Sequence, residues 1–230
     1  MANTKYDILV GNYGSGKTEI ALNFALDGAA QGKKTVLVDL DIVNPYFRSS
    51  AKRLLLEEAG IMVIASEFAN TGIDLPLVSA ETARIFTGEF DYAVIDVGGD
   101  PVGATALGRY KIELGKIADR LNTNFVLNAS RPQTIDLPAV RKMLELIEAR
   151  GRVKMNWLIN NTNLANESSP ENLLTGQRLV EEVSRELDIP VRYITGRADI
   201  LEKFRELTGA EFKGELRPIV MRMRPGWQDY

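Results

Sequence analysis

The sequence predicts an α/β fold: a three-layer, doubly wound, mostly parallel sheet with helices on both faces. Three observations predict it. Short apolar runs rich in β-branched residues alternate with longer amphipathic segments. Each run is bounded by Gly, Asn, Asp or Pro, as suits strands buried on both faces. A glycine-rich loop joins the first run to the first helix. The 230 residues are expected to form a single domain over 1–230. No repeat or low-complexity linker interrupts them, and the polar stretch Asn161 to Pro170 reads as a loop rather than a boundary.

The strands follow in order: Ile8–Val10, Val36–Val38, Ile61–Ile64, Ala93–Ile95, Phe125–Leu127, Trp157–Ile159 and Val191–Ile194. Between them, Glu19–Gly32 is a helix opening directly after the glycine-rich loop. Ser49–Ala59 is a helix stopping at Gly60, a natural C-cap. Leu137–Arg150 carries Leu137, Val140, Leu144 and Ile147 on one stripe, with Pro138 in its first turn and Gly151 at its end. Leu174–Leu187 and Ala198–Leu207 also have helical spacing. At the C-terminal side, Ile219, Met221 and Met223 alternate with Val220, Arg222 and Arg224, which reads as an edge strand with one apolar and one basic face.

Composition narrows the chemistry. With 28 Lys+Arg against 31 Asp+Glu, the net charge is −3, so bulk attraction to nucleic acid or to an anionic membrane is not expected. The absence of Cys excludes a disulfide framework, a thiolate metal site, an iron–sulfur cluster and a Cys nucleophile. The absence of His removes the commonest general base. What remains is carboxylates, lysine, hydroxyls, backbone amides and Mg²⁺. No signal peptide or membrane-spanning run is legible, so a cytoplasmic location is expected.

The strongest motif is Gly11-Asn12-Tyr13-Gly14-Ser15-Gly16-Lys17-Thr18, followed by Glu19. It fits G-x-x-x-x-G-K-[ST] between a strand and a helix, the setting of a phosphate-binding loop. Gly11, Gly14 and Gly16 let successive N–H groups turn inward toward phosphate oxygens. The helix N-terminus adds its positive end. Lys17 brings a point charge to the β/γ-phosphates, and the Thr18 hydroxyl can ligate Mg²⁺.

Three further motifs stand at strand ends, where ligands bind in open α/β sheets. Asp39 and Asp41, two residues apart, point the same way. One can join the Mg²⁺ shell while the other orients or deprotonates a water. Asp96-Val-Gly-Gly99 has the form of a Walker B strand running into a switch, with Asp96 reaching Mg²⁺ through water and the Gly99 amide sensing the γ-phosphate. Asn160-Asn161-Thr162-Asn163 offers amides suited to an adenine edge. The residue where a guanine-reading loop carries a carboxylate is Asn163, which favours ATP over GTP. An Asx-rich turn capped by its own side chains is the plainer reading.

These motifs, in this order, resemble the SIMIBI class of P-loop NTPases, in particular its MinD/ParA/CobQ-CobB-like branch, over roughly residues 5–200. The resemblance implies ATP and Mg²⁺ as ligands and an ATP-dependent homodimer acting on a client. It implies that Lys17 and Asp41 carry catalysis, Asp41 by orienting the hydrolytic water. Thr18, Asp39, Asp41 and Asp96 are the expected metal neighbourhood. Residues 11–19, Gly99, Asn160 and Asn161 are the expected nucleotide contacts. The branch's cross-subunit signature lysine is replaced by Asn12, and the next glycine by Tyr13.

Other segments carry two readings each. Asn44–Arg48 falls where switch I stands, although Phe47 can equally be a buried helix-start residue. Val97–Tyr110, with Gly98, Gly99, Gly103 and Gly108, fits a mobile switch II or a set of turns. Arg131 can meet an anion, or Thr134 can cap a helix. Three functions fit: an ATP-hydrolysing switch, a small-molecule kinase or ATP-dependent ligase like dethiobiotin synthetase (with the Asn70–Pro76 loop and Arg131 lining a pocket), or a low-turnover nucleotide-binding regulatory or partition module.

Overall fold

In a computed structural model the described residues are 4–41, 50–65, 80–99, 101–209 and 211–223. Eight strands form one sheet: β1 (Lys5–Val10), β2 (Thr35–Asp39), β3 (Met62–Ala65), β4 (Tyr92–Asp96), β5 (Leu121–Leu127), β6 (Trp157–Asn160), β7 (Val191–Gly196) and β8 (Glu215–Pro218). Their order is β3-β2-β4-β1-β5-β6-β7-β8, and every pairing is parallel. This is the doubly wound arrangement that the alternating pattern predicts. The chain leaves β1 toward β2 and later crosses to β5 on the other side. The crevice beyond the carboxyl end of β1 is therefore the place for a ligand.

The helices are α1 (Lys17–Ala30), α2 (Ser50–Glu58), α3 (Ala80–Ala83), α4 (Pro101–Gly108), α5 (Lys111–Lys116), α6 (Leu137–Gly151), α7 (Pro170–Leu187) and α8 (Ala198–Thr208). The central strands are apolar on both faces and serve two cores. Ile8, Val38, Ile95 and Phe125 pack with Leu107, Val140, Leu144 and Val180, under α4, α6 and α7. Leu9, Leu37, Val94 and Val126 pack with Ile20, Phe24 and Leu56, under α1 and α2. A third, smaller cluster joins Ile200 and Phe204 of α8 to Leu173 and Ile194. Fully burying a side chain of this size contributes about 1.5–3 kcal/mol, so these layers fix the loops that project from the strand ends.

The Val97–Tyr110 segment, read as a switch or a set of turns, folds from Pro101 onward as α4. Its glycines serve close packing: a Cβ on Gly103 would stand 2.5 Å from the Gly98 Cα. Three expectations are corrected. The last strand is Glu215–Pro218, not the alternating run after it. The β7–β8 ladder closes at Gly196 and Pro218, and from Val220 onward the backbone amides turn to side chains of α1. Thr134 caps no helix. Its hydroxyl donates to the Asn128 carbonyl at 2.7 Å, and Asp136 caps α6 by accepting from the Ala139 amide at 2.9 Å. Helix α7 starts earlier than expected, at Pro170, because Ser169 and Asn172 form a reciprocal capping box. The expected readings of Asn44–Arg48, of the Asn70–Pro76 loop and of Arg224 lie outside the described residues.

Candidate functional site: the loop after the first strand

Residues 11–18 leave β1 and enter α1 as a tight loop. Gly16 is the N-cap of α1 in the left-handed region, φ 89°, and a Cβ there would stand 2.2 Å from the Asn161 Nδ2. Gly11, at φ 148°, could carry no Cβ without meeting the Val126 carbonyl oxygen at 2.3 Å. Both positions are therefore closed to larger residues. Lys17 is buried, and its ammonium donates to the Asn12 carbonyl at 2.9 Å, so it folds back across the mouth of its own loop. The Ser15 hydroxyl is buried and finds no partner among the described residues.

Two strand ends, those of β2 and β4, converge beside this loop. Asp39 and Asp96 are register partners on adjacent strands, roughly 5 Å apart by the usual interstrand spacing. Asp39 accepts the Asp41 amide at 2.9 Å. The Asp41 carboxylate lies against Gly98, where an added Cβ would approach its Oδ1 to 3.2 Å. A Cβ on Gly99 would stand 2.6 Å from the Tyr13 nitrogen and 2.8 Å from the Lys17 ammonium. Asp41, the start of the Gly98-Gly99 turn, Tyr13 and Lys17 are thus assembled around one point, although they come from three separate stretches of chain.

Burial pushes the Asp96 carboxyl up to about 7. Lys17 and a hydrogen bond from Thr18 pull the other way, while Asp39 and Asp41 reinforce the rise. The Asp96 Oδ1 has no hydrogen-bond partner among the described residues. An orphaned, fully desolvated carboxylate oxygen beside three other polar groups is costly unless a cation or water completes it. Among the described residues no three carboxylates gather closely enough to hold a metal ion unaided. A hydroxyl and a carboxylate oxygen are hard donors of the kind Mg²⁺ takes, one or two from protein with water and phosphate oxygens filling the shell. Thr18 and Asp96, whose side chains are hydrogen-bonded, are residues that could hold the ion.

The loops after β5, β6 and β7 close the other side. Arg131 donates from Nε to the Gly14 carbonyl at 3.0 Å, and Asn12 donates to the Gln133 Oε1 at 3.0 Å. Asn161 is buried. Its Nδ2 donates to the Ser15 carbonyl at 2.7 Å, and its Oδ1 accepts from Thr195. Asn160 is turned away from the loop, donating to the Leu173 carbonyl and Gln177 and accepting from the Thr162 amide. Its expected role at a base edge finds no side-chain atom pointing there, because α7 approaches closely enough at Gly176 to engage it. The Glu19 carboxylate is likewise spent, accepting the Arg222 and Met223 amides at 2.7 and 3.0 Å. Tyr13 is exposed at the crest of the loop.

Beside Asn161 lies a small slot lined by Asn163, Gly196, Arg197, Ile200, Ile219 and Met221. Sequence reading missed these residues as a group. The alternation at residues 219–223 was legible, but the turn of that segment onto α1 was not.

A parallel sheet in this order, with a phosphate-loop sequence after β1 and aspartates ending β2 and β4, is an α/β fold like that of P-loop NTPases. No family model matches the chain. Among curated proteins it is similar to the ATPase GET3C of Arabidopsis thaliana, 29% identical over 147 residues, which are 63% of this chain and 34% of that protein. The chain thus spans about a third of the length of that relative. Among solved structures, chloroplast FtsY from Physcomitrella patens aligns over 84% of this chain and 59% of its own, with TM-score 0.58 and 16% identity. FtsY from Thermotoga maritima aligns over 83% and 61%, with TM-score 0.53 and 21% identity. The signal recognition particle receptor FtsY from Elizabethkingia anophelis, solved in complex with GDP, aligns over 85% and 58%, with TM-score 0.52 and 18% identity. These likenesses support the fold. Among the described residues no helix is long and apolar enough to cross a membrane.

Proposed function

We propose that the chain is a cytoplasmic, single-domain, Mg²⁺-dependent ATP-binding and ATP-hydrolysing switch of the MinD/ParA-like type. In this reading it forms a homodimer with ATP and acts on a client. The observation that carries the reading is the convergence of Lys17, Asp41, Asp96 and Gly99 on one loop, with an Asp96 oxygen left unpartnered. The loop amides and Lys17 bind the phosphates. Asp41, next to Gly98, holds and orients the attacking water and takes up its proton. Gly99, pressed against Tyr13 and Lys17, transmits the presence of the terminal phosphate to α4. Mg²⁺, held at Thr18 and Asp96, would neutralise charge on the phosphate oxygens. The slot beside Asn161 and Asn163 receives the base. Adenine is the preferred base because Asn163 supplies an amide where guanine recognition needs a carboxylate, and because the curated relative carries the name ATPase.

A second reading is favoured by Asn12. Its side chain is bonded to Gln133 within the same chain, so it is not poised to reach a partner's nucleotide. A small-molecule kinase or ATP-dependent ligase needs no such reach.

The test combines calorimetric titration with Mg·ATP and Mg·GTP, phosphate release, and solution mass with a non-hydrolysable analogue. Lys17→Ala is expected to lose binding, and Asp41→Ala to bind but not hydrolyse. Unchanged phosphate release in both variants overturns the reading. Phosphate transferred to a metabolite rather than to water moves the assignment to the second.

A further inference from the structure

The amino end of the sheet holds a second polar cleft, at the opposite end of β1 from the phosphate loop. β1 is six residues long, so the two sites stand roughly 20 Å apart. The cleft has a volume of about 430 Å³. Lys5, Lys33, Arg192 and Arg217 line it with only two carboxylates, Asp7 and Asp27, leaving a surplus of two positive charges in a chain whose net charge is −3.

The two arginines are held rigidly. Arg192 lies over the Tyr193 ring at 4.7 Å and the Trp157 ring at 5.9 Å. Arg217 lies over Phe24 at 3.8 Å and Tyr193 at 4.9 Å. Each spends one terminal nitrogen on protein. The Arg192 Nη1 donates to Asp7 and to the Asn124 Oδ1, and the Arg217 Nη2 donates to Asp27. Their remaining N–H groups have no protein partner among the described residues, yet none of these atoms is buried from solvent. They therefore open onto the cleft. Asp7 is already committed: Tyr92, Asn124 and Arg192 all donate to it.

We infer that this cleft is a binding site for a small phosphate-type dianion. Two fixed guanidinium groups with unspent donors match a tetrahedral oxyanion better than point charges do. A phosphomonoester carries nearly two negative charges at neutral pH, which matches the surplus. Trp157 and Tyr193 supply apolar walls for whatever bears the phosphate. Helix α1 runs from the phosphate loop to this cleft, contributing Asp27 and Gly28, with its C-cap residue Gln31 beside them.

The site is tested with the full chain carrying Lys17→Ala, which silences the phosphate loop, and Trp227→Phe, which leaves Trp157 as the fluorescent reporter. Inorganic phosphate and pyrophosphate are titrated by fluorescence and calorimetry. Saturable binding is expected. Adding Arg217→Gln should weaken it roughly tenfold or more, while Asp27→Asn should tighten it several-fold. Opposite effects from two paired residues are not what a purely structural pair would give. With Lys17 intact, both variants should keep the parent's Mg·ATP affinity, which shows that they fold. No saturable binding in the Lys17→Ala chain, or binding that ignores both Arg217→Gln and Asp27→Asn, overturns the site.

Discussion

Asn161 holds the Ser15 carbonyl by a 2.7 Å hydrogen bond across 146 residues of chain. It ties the loop after β6 to the middle of the loop after β1. The same amide accepts from Thr195, so one buried side chain fixes three strand ends. Asn161→Leu should strand the Ser15 carbonyl, leave the Thr195 hydroxyl with only the Asn160 carbonyl at 3.1 Å, and cost about 1–3 kcal/mol. Urea unfolding should show a lower midpoint at unchanged slope. Calorimetry should show weaker Mg·ATP binding even where the variant is fully folded. Wild-type affinity and midpoint together would exclude the tie.

Asp96 sets a pH dependence whose sign is unusual for a carboxylate. In the folded state its proton is kept up to about pH 7, whereas unfolded it leaves near 4. Between those values the unfolded chain binds fewer protons, so stability falls as pH rises. Above about 7 the penalty is complete. Asp96→Asn should remove that slope and stabilise the nucleotide-free protein at pH 8 by up to a few kcal/mol, while abolishing hydrolysis. Paired urea titrations at pH 5 and pH 8 read this directly, and an equal slope in both proteins would refute it.

Gly99→Ala separates binding from turnover. The added methyl would press on the Tyr13 backbone and the Lys17 ammonium. Because the nearest atoms are backbone, the turn must shift, and a loss of about 1–3 kcal/mol is expected; turnover is therefore compared under conditions where the variant is folded. Phosphate release should fall by an order of magnitude or more, read in a single-turnover assay. Full activity would mean that the turn does not sense the phosphate.

Gly176→Ala is a packing test away from the chemistry. Its Cβ would stand 1.9 Å from the Thr162 Oγ1, so α7 must move. A loss of about 1–3 kcal/mol is expected, visible as a lower melting temperature. Gly115→Ala, where an added Cβ meets nothing within 4 Å, should have little effect.

The central sheet was legible because β1, β2, β4 and β5 are buried on both faces and contain short apolar runs rich in β-branched residues. The long helices were legible from their stripes. The short helices α3, α4 and α5 span about two turns or fewer each and leave no periodic signature. β8 was displaced in the reading because Glu215–Pro218 alternates little, while residues 219–223 alternate well but bond elsewhere. The phosphate loop was legible from spacing alone. The reorientation of Asn160 and Glu19 was not, since it depends on α7 and on the C-terminal segment approaching from far along the chain. The cleft at the amino end of the sheet was invisible for the same reason: its charges lie on β1, α1, the loop between α1 and β2, β7 and β8.

The contacts of residues 220–223 with α1 carry a consequence for synthesis. Val220 bonds Asn23 across 197 residues, and Met223 bonds Glu19 across 204. At a translation rate of about 5–20 residues per second, α1 emerges some tens of seconds before its partner segment exists. During that interval the slot beside Asn161 lacks the wall that Ile219 and Met221 provide. A nascent chain stalled before residue 219 would present the phosphate loop without its neighbouring slot.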